Sequence, residues 1–254
     1  MSSNTIIIKK LANRLENASS MNDRLSALIE LQNLTKIESN ILDIGIYALQ
    51  IVLDQLIHCD TSEEYLEILD LMEKLINSKN KEANIKNSKS ILSESRNVET
   101  LLELMCHENG TTSIIASQVL TLLHGNDGEY LEKSIQQCPN GLNRLLERLC
   151  DSTREEVRNQ SIVLIQELTI SNESMKNALV FQEGFDILFA TMGEEGGSRD
   201  CGVVVQDCLM IIRNILHNSK ISQEFFYSMN SKYISNLIEY FDPLLLEEKA
   251  EEDG

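Results

Sequence analysis

Three places in the chain set chemically capable side chains next to one another. His58 with Cys59, and Cys106 with His107, each join an imidazole to a thiol, the pairing that ligates zinc or arms a cysteine nucleophile. The segment GEEGGSRDCG, residues 193–202, is rich in glycine in the manner of a loop that wraps phosphate. Spacing argues against all three. Adjacent residues on a helix point in different directions, and no second Cys/His pair stands at ligand spacing, so neither couple predicts a metal site. A thiol–imidazole catalyst needs a cleft assembled from distant segments, and nothing in the sequence orients one. The glycine-rich segment lacks the Lys-Ser/Thr ending of a phosphate cradle, and its carboxylates would repel the anion. The expectation is a chain without catalytic residue, cofactor or metal, whose work is done by the surfaces its secondary structure presents.

Composition says what those elements are. Of 254 residues, 42% are hydrophobic and 24% charged, enough to bury a large core. Two prolines, no tryptophan and 5% aromatics leave too few turn and strand formers for a many-stranded sheet, and predict helix. Forty acidic against twenty-two basic residues give a net charge of −18, which removes long-range attraction to nucleic acid or anionic lipid. The six cysteines form no Cys-x-x-Cys and read as reduced thiols. The longest apolar stretch, 41–57, is broken by Asp43, Gly45, Gln50 and Asp54, and the opening MSSNTIIIKK lacks signal-peptide organisation. A cytoplasmic protein that meets membranes only indirectly is expected.

The organising signal is a repeat. Leu142, Leu145, Leu146 and Leu149 stand at i, i+3, i+4 and i+7, the stripe that one helix face must bury. The same stripe precedes it as Val98, Leu101, Leu102 and Met105, and follows it as Phe185, Leu188, Phe189 and Met192, then as Ile234, Leu237, Ile238 and Phe241. Between stripes, Val157–Leu168, running on as IQELTISN, corresponds to Val203–Ile215, running on as IRNILHNS. A shorter segment at 171–180 returns at 218–227 with an offset of forty-seven. Three helices per unit of about 40–47 residues are the signature of an armadillo-type stack, in which no unit buries its own apolar face. The predicted fold is an all-α, armadillo-like, right-handed α-solenoid of three-helix repeats, forming one domain over 1–254. Met192 and Met210 fall in its apolar stripes and read as core fillers.

The first hundred residues follow the same scheme less regularly, through Ala27, Leu28, Leu31 and Leu34, then Ile44, Ala48 and Ile51, then Leu69, Met72 and Ile76. From 77 to 97 the pattern gives way to NSKNKEANIKNSKSILSESRN, whose scattered apolar residues predict a mobile polar insertion. Residues 247–254, EEKAEEDG, read as an acidic tail.

The stretch 155–226 carries a specific resemblance. Val157, Arg158, Asn159, Leu164, Gln166, Leu168, Thr169, Ser171 and Asn172, then Phe181 and Phe185, then Glu194, Glu195 and Gly196, then Gly202, Val204, Val205, Asp207, Cys208 and Leu209 reproduce the most recognisable block of the armadillo head of the general vesicular transport factor family. Residues 23–36 and 44–56 resemble that head's opening helices more weakly. The resemblance implies a non-enzymatic head of a cytosolic, peripheral Golgi tether acting in ER-to-Golgi and intra-Golgi transport. Its implied partners are a Rab-type GTPase, SNAREs and Golgi matrix proteins, together with homodimerisation. The alternative is another armadillo class, an Hsp70 nucleotide-exchange factor or other adaptor. The sequence departs from the family in lacking the rest of the head, the long coiled coil and the family's acidic tail.

Candidate contact residues follow from this frame. The armadillo superfamily often places an asparagine within A-L-x-N-L on its groove-lining helix, and LQNLT and IRNIL resemble that motif at Asn33 and Asn214. Glu167 stands at the corresponding place in IQELT, so a regular asparagine ladder is not expected. Arg158 and Asn159 open the long helix of their unit, where a surface ion pair or cap competes with partner contact. Glu194, Glu195 and Arg199 lie on the glycine-rich segment, the sort of loop on a rigid scaffold that partners touch.

Overall fold

The computed structural model of the protein describes residues 3–59, 61–149, 154–197 and 202–241. The chain is 83% helical, with no strand among the described residues. It divides into two compact units, residues 1–141 and 142–254, where one domain is expected from the sequence.

The first unit runs α1 (Ser3–Glu16), α2 (Met21–Leu34), α3 (Asn40–Tyr47), α4 (Leu49–His58), α5 (Ser62–Ile76), α6 (Lys81–Leu92), α7 (Ser95–Leu104) and α8 (Gly110–Gln137). The long helices α2, α5 and the front of α8 play one role, each closing a layer and packing on its neighbours. Short helix pairs, α3 with α4 and α6 with α7, fill the space between them. Helix α8 is two helices merged across a kink at Asp127, whose φ of −155° and ψ of 69° interrupt the helix. Among the described residues no single helix is long and apolar enough to cross a membrane. The bent pair α3 and α4, angled at 56°, reaches that length only together, and its Ile41, Ile44, Leu49, Val52, Leu53 and Leu56 are buried inside the unit.

The supposed insertion at 77–97 is instead the first helix of a repeat. Asn80 caps α6 by accepting from the Ala83 amide, as Asn172 and Ser219 cap the corresponding helices further on. Helix α6 buries Ala83, Ile91 and Leu92 together with Asn84, Asn87 and Ser88. These polar residues are satisfied inside the unit. Asn87 donates to Leu75 O at 2.8 Å, Ser88 Oγ accepts from Asn126 Nδ2 at 3.0 Å, and Asn84 bonds Ser78 through both its oxygen and its nitrogen. The approach of α6 to α3 is close enough that a Cβ on Gly45 would lie 1.9 Å from Asn87 Oδ1.

The second unit continues with α9 (Gly141–Leu149), α10 (Glu155–Thr169), α11 (Glu173–Phe181), α12 (Gly184–Glu194), α13 (Val203–Leu216), α14 (Lys220–Ser228) and α15 (Asn230–Phe241). The stripes at 98–105, 142–149 and 185–192 are buried on α7, α9 and α12 as the repeat requires. Glu183 takes a left-handed conformation (φ 59°) ahead of Gly184, and Asn140 does the same (φ 56°) ahead of Gly141. A side chain could not follow these turns, because a Cβ would meet a backbone oxygen at 2.7 Å and 2.6 Å respectively. Phe185, Phe189, Phe226 and Tyr233 form one aromatic cluster, and Tyr233 donates to Asp186 at 2.8 Å. Of the predicted fillers, Met192 is buried but Met210 is 44% exposed. Residues 247–254, together with Cys150 and Cys201, lie outside the described residues.

Candidate protein-binding surface

The polar side chains that the long helices carry decide what those helices can offer a partner. In α2, Gln32 Nε2 reaches α5 and donates to Glu67 O at 2.9 Å and to its carboxylate at 2.8 Å. In α10, Gln166 Nε2 repeats the contact on α13, donating to Asp207 O at 3.2 Å and to its carboxylate at 3.0 Å. Behind each glutamine the threonine of the same motif, Thr35 or Thr169, returns its hydroxyl to the glutamine's own carbonyl at 2.7 and 2.9 Å. One amide thus holds each of these interfaces in register, and the recurring residue of LQNLT and IQELT is the glutamine. Sequence reasoning fixed on the asparagine beside it. The missed signal was present, since Gln32 and Gln166 occupy the same motif position.

Asn33 and Asn214 behave differently from each other. Asn33 is exposed at the end of α2 and accepts from Lys36 Nζ at 2.9 Å. Asn214 is half-buried between α10 and α13, its Nδ2 directed at Gln166 O at 3.4 Å and Thr169 Oγ1 at 3.5 Å, so it acts within the stack. Lys176 of α11 completes that interface by donating to His217 O at 2.9 Å.

Arg158 is no surface residue. It is 2% exposed on α10 and forms an ion pair with Glu195, which follows α12. Its Nε has no hydrogen-bond partner. The pair lies by the buried Cys208 of α13, whose thiol is pushed up to about 12 by burial first and the Asp207 charge second, with Arg158 opposing. Asn159 and Glu194, the sequence neighbours of the paired residues, are exposed, while Arg199 lies outside the described residues. Asn33 belongs to the first unit, and the other described candidates to the second.

The imidazole–thiol couples are occupied in packing. Cys59 is buried with Sγ 3.7 Å from Leu56 O, and His107 accepts from the Asn109 amide at 3.0 Å and stands edge-on to the Tyr65 ring. No disulfide joins any two of the described cysteines 59, 106, 138 and 208. No three His, Cys, Asp or Glu side chains converge as a metal site among the described residues.

Stacked three-helix layers, bridged by single polar contacts from one long helix to the next, define an armadillo-type α-solenoid, a class of scaffold that works by presenting surface. Solved structures agree in fold. A crystal structure of Uso1 superposes with a TM-score of 0.77 at 18% identity, covering 91% of this chain and 39% of that one. A designed armadillo repeat protein in complex with the peptide (KR)4 superposes with a TM-score of 0.68 at 17% identity, covering 91% and 90%. No family model matches the chain. Among curated proteins it is 29% identical to the human general vesicular transport factor p115 over 92% of its length, and 30% identical to Golgin candidate 6 of Arabidopsis thaliana over 80%. The chain is a homologue of the p115/Uso1 vesicular transport factors. It spans 25% of the length of p115 and 23% of that of Golgin candidate 6.

Proposed function

We propose that the chain is the non-enzymatic, protein-binding head of a vesicle-tethering factor in ER-to-Golgi and intra-Golgi transport, cytoplasmic and peripheral on Golgi membranes and transport vesicles. Its partners are a Rab-type GTPase, SNAREs and Golgi matrix proteins, and it forms homodimers. The observation that carries this reading is the similarity to p115 over 92% of the chain, joined to a stack built to present surface. A rigid stack offers partners a pre-ordered face and so reduces the entropy lost on binding. Asn159 and Glu194, exposed sequence neighbours of the ion-paired Arg158 and Glu195, are the residues through which we expect that face to touch a partner.

The test is association of the chain with a GTP-loaded Rab-type GTPase, compared with the GDP-loaded form and with a Golgi matrix protein. Binding that prefers the GTP form and weakens in Asn159→Ala with Glu194→Ala supports the reading. Absence of association with either partner overturns it.

A further inference from the structure

We propose that the outward face of α6, together with the cavity it meets at Lys89, is a docking site for an extended acidic peptide segment of another protein. The segment alternates acid, apolar residue and acid, and continues into an aromatic side chain. The inference stands on the first unit alone and goes beyond the tethering reading.

Helix α6 is pinned from its inner side. Asn84 and Asn87 spend their amides on Ser78 O and Leu75 O, and Asn126 donates to Ser88 Oγ at 3.0 Å. The outer side takes no part in this. Lys81, Ile85 and Lys89 stand there at i, i+4 and i+8, all exposed, Ile85 by 41%. On the adjacent ridge Glu82 and Lys86 pair with each other at 2.7 Å, whereas Lys79, Lys81 and Lys89 have no ion pair or hydrogen bond with a described residue. Residues 77–91 thus carry four lysines and one glutamate, in a chain that elsewhere has more than twice as many acids as bases. The fold does not ask for these lysines. Aligned through the capping residues Asn80 and Asn172, α11 buries the same four positions of its helix as α6 does at 83, 84, 87 and 88, yet it carries Glu173, Asn177 and Phe181 at the places of Lys81, Ile85 and Lys89.

The geometry selects the occupant. Lys81 and Lys89 are two turns apart, about 12 Å along the helix axis. An extended peptide advances about 6.7 Å for every two residues and turns alternate side chains to one face, so its residues i, i+2 and i+4 meet Lys81, Ile85 and Lys89 in turn. Acids at the outer positions pair with the lysines, and an apolar residue between them covers Ile85. At Lys89 the face meets a cavity of about 400 Å³, which this lysine lines together with Asp127, Glu129, Tyr130 and Lys133 of α8. There Glu129 already pairs with Lys133 and Asp127 adds a negative charge, so a further acid is disfavoured, while Tyr130, 48% exposed, offers its ring to an aromatic residue. A further repeat does not reach this face, because α6 is flanked by α3 and α8 within its unit and repeats add at an end. An anionic membrane meets the whole net charge of −18, whereas a short peptide meets the charges within a Debye length of about 8 Å. Residues 247–254 set only the small Ala250 between alternate acids, too little to cover Ile85.

A labelled peptide containing Glu-Ser-Leu-Ser-Glu-Ser-Phe, titrated into the whole chain and followed by fluorescence anisotropy, tests this. Saturable binding is expected. Lys81→Glu combined with Lys89→Glu should weaken it by about tenfold or more, and Ile85→Ser by about threefold. A peptide with lysine in place of both glutamates should bind the doubly substituted chain and not the original. All three positions are exposed, and circular dichroism confirms that each variant is folded. Absence of saturable binding overturns the proposal, as does binding that the double substitution leaves unchanged. Sedimentation with phosphatidylserine vesicles that the double substitution abolishes identifies a membrane as the occupant. Displacement of the probe by an equal concentration of a peptide of residues 244–254 identifies this chain's own segment, and either result overturns the proposal. Asn159 and Glu194 stay intact in these variants, so GTPase association is expected to survive in them, and failure of the peptide is told apart from failure of the tethering reading.

Discussion

In the layer of α10, α11 and α12, Ile162, Thr169 and Leu188 are sealed beneath α13, whereas their successors Leu209, Leu216 and Leu237 are only half-buried along an open groove. The helices, offsets and apolar types are the same in both places. What differs is whether, among the described residues, a further long helix lies across them. Burial in this fold is thus conferred by stacking, and one stripe is core or surface according to its neighbour. The polar residue at the crossing point follows suit. Where a helix is in place it is a neutral glutamine matched to one backbone oxygen and one carboxylate, and where the groove is open it is a charged arginine that water can solvate.

Substitutions made in pairs, one in each layer, measure that difference. Ile162→Asp places a charge in the sealed layer and should cost about 4 kcal/mol or more, while Leu209→Asp at the open counterpart should cost under about 1 kcal/mol. Urea midpoints of the two variants decide it, and equal losses would break the comparison. Glu195→Ala strands the Arg158 guanidinium inside the sealed layer and should cost about 3 kcal/mol, read in the same way. Gln166→Ala removes the donor to Asp207 and should cost about 1.5 kcal/mol, against less than about 0.5 kcal/mol for Arg213→Ala. Alkaline titration gives a smaller effect than any of these losses in the sealed layer. The Cys208 thiol, under the same cover, keeps its proton up to about 12, whereas in the unfolded chain it releases it at its ordinary value of 9.0. The unfolded state then binds fewer protons, so stability is full below pH 9 and falls as pH rises, by about 1 kcal/mol between pH 9 and 10. Cys208→Ala should flatten that decline in urea melts taken across the window.

The stripes that define the repeat were legible because apolar spacing records which face a helix buries, and Val98, Leu145 and Phe185 occupy the predicted faces. Helix α6 was not legible for a physical reason. Its Asn84 and Asn87 spend their amides on backbone groups at the ends of neighbouring segments, and a sequence rich in Asn, Ser and Lys reads the same whether those amides face water or a carbonyl. Arg158 misled in a similar way. A lone arginine near a helix start is ordinarily a solvated residue, and its partner Glu195 is 37 residues distant, on the far side of two helices. The importance of Gln166 over its neighbour Glu167 was within reach, because the glutamine recurs at position 32 and the neighbour does not.

The bridging contacts also bear on how the chain folds. Gln32 meets Glu67 at a separation of 35 residues, Gln166 meets Asp207 at 41, and Asn126 meets Ile76 at 50. Each ties a segment to material laid down one layer earlier, so closure of any layer requires only a loop of a few dozen residues and never the meeting of distant termini. Nucleation can begin wherever a glutamine finds its carbonyl and spread outward along the chain, giving each unit the rapid kinetics of a low-contact-order helical protein.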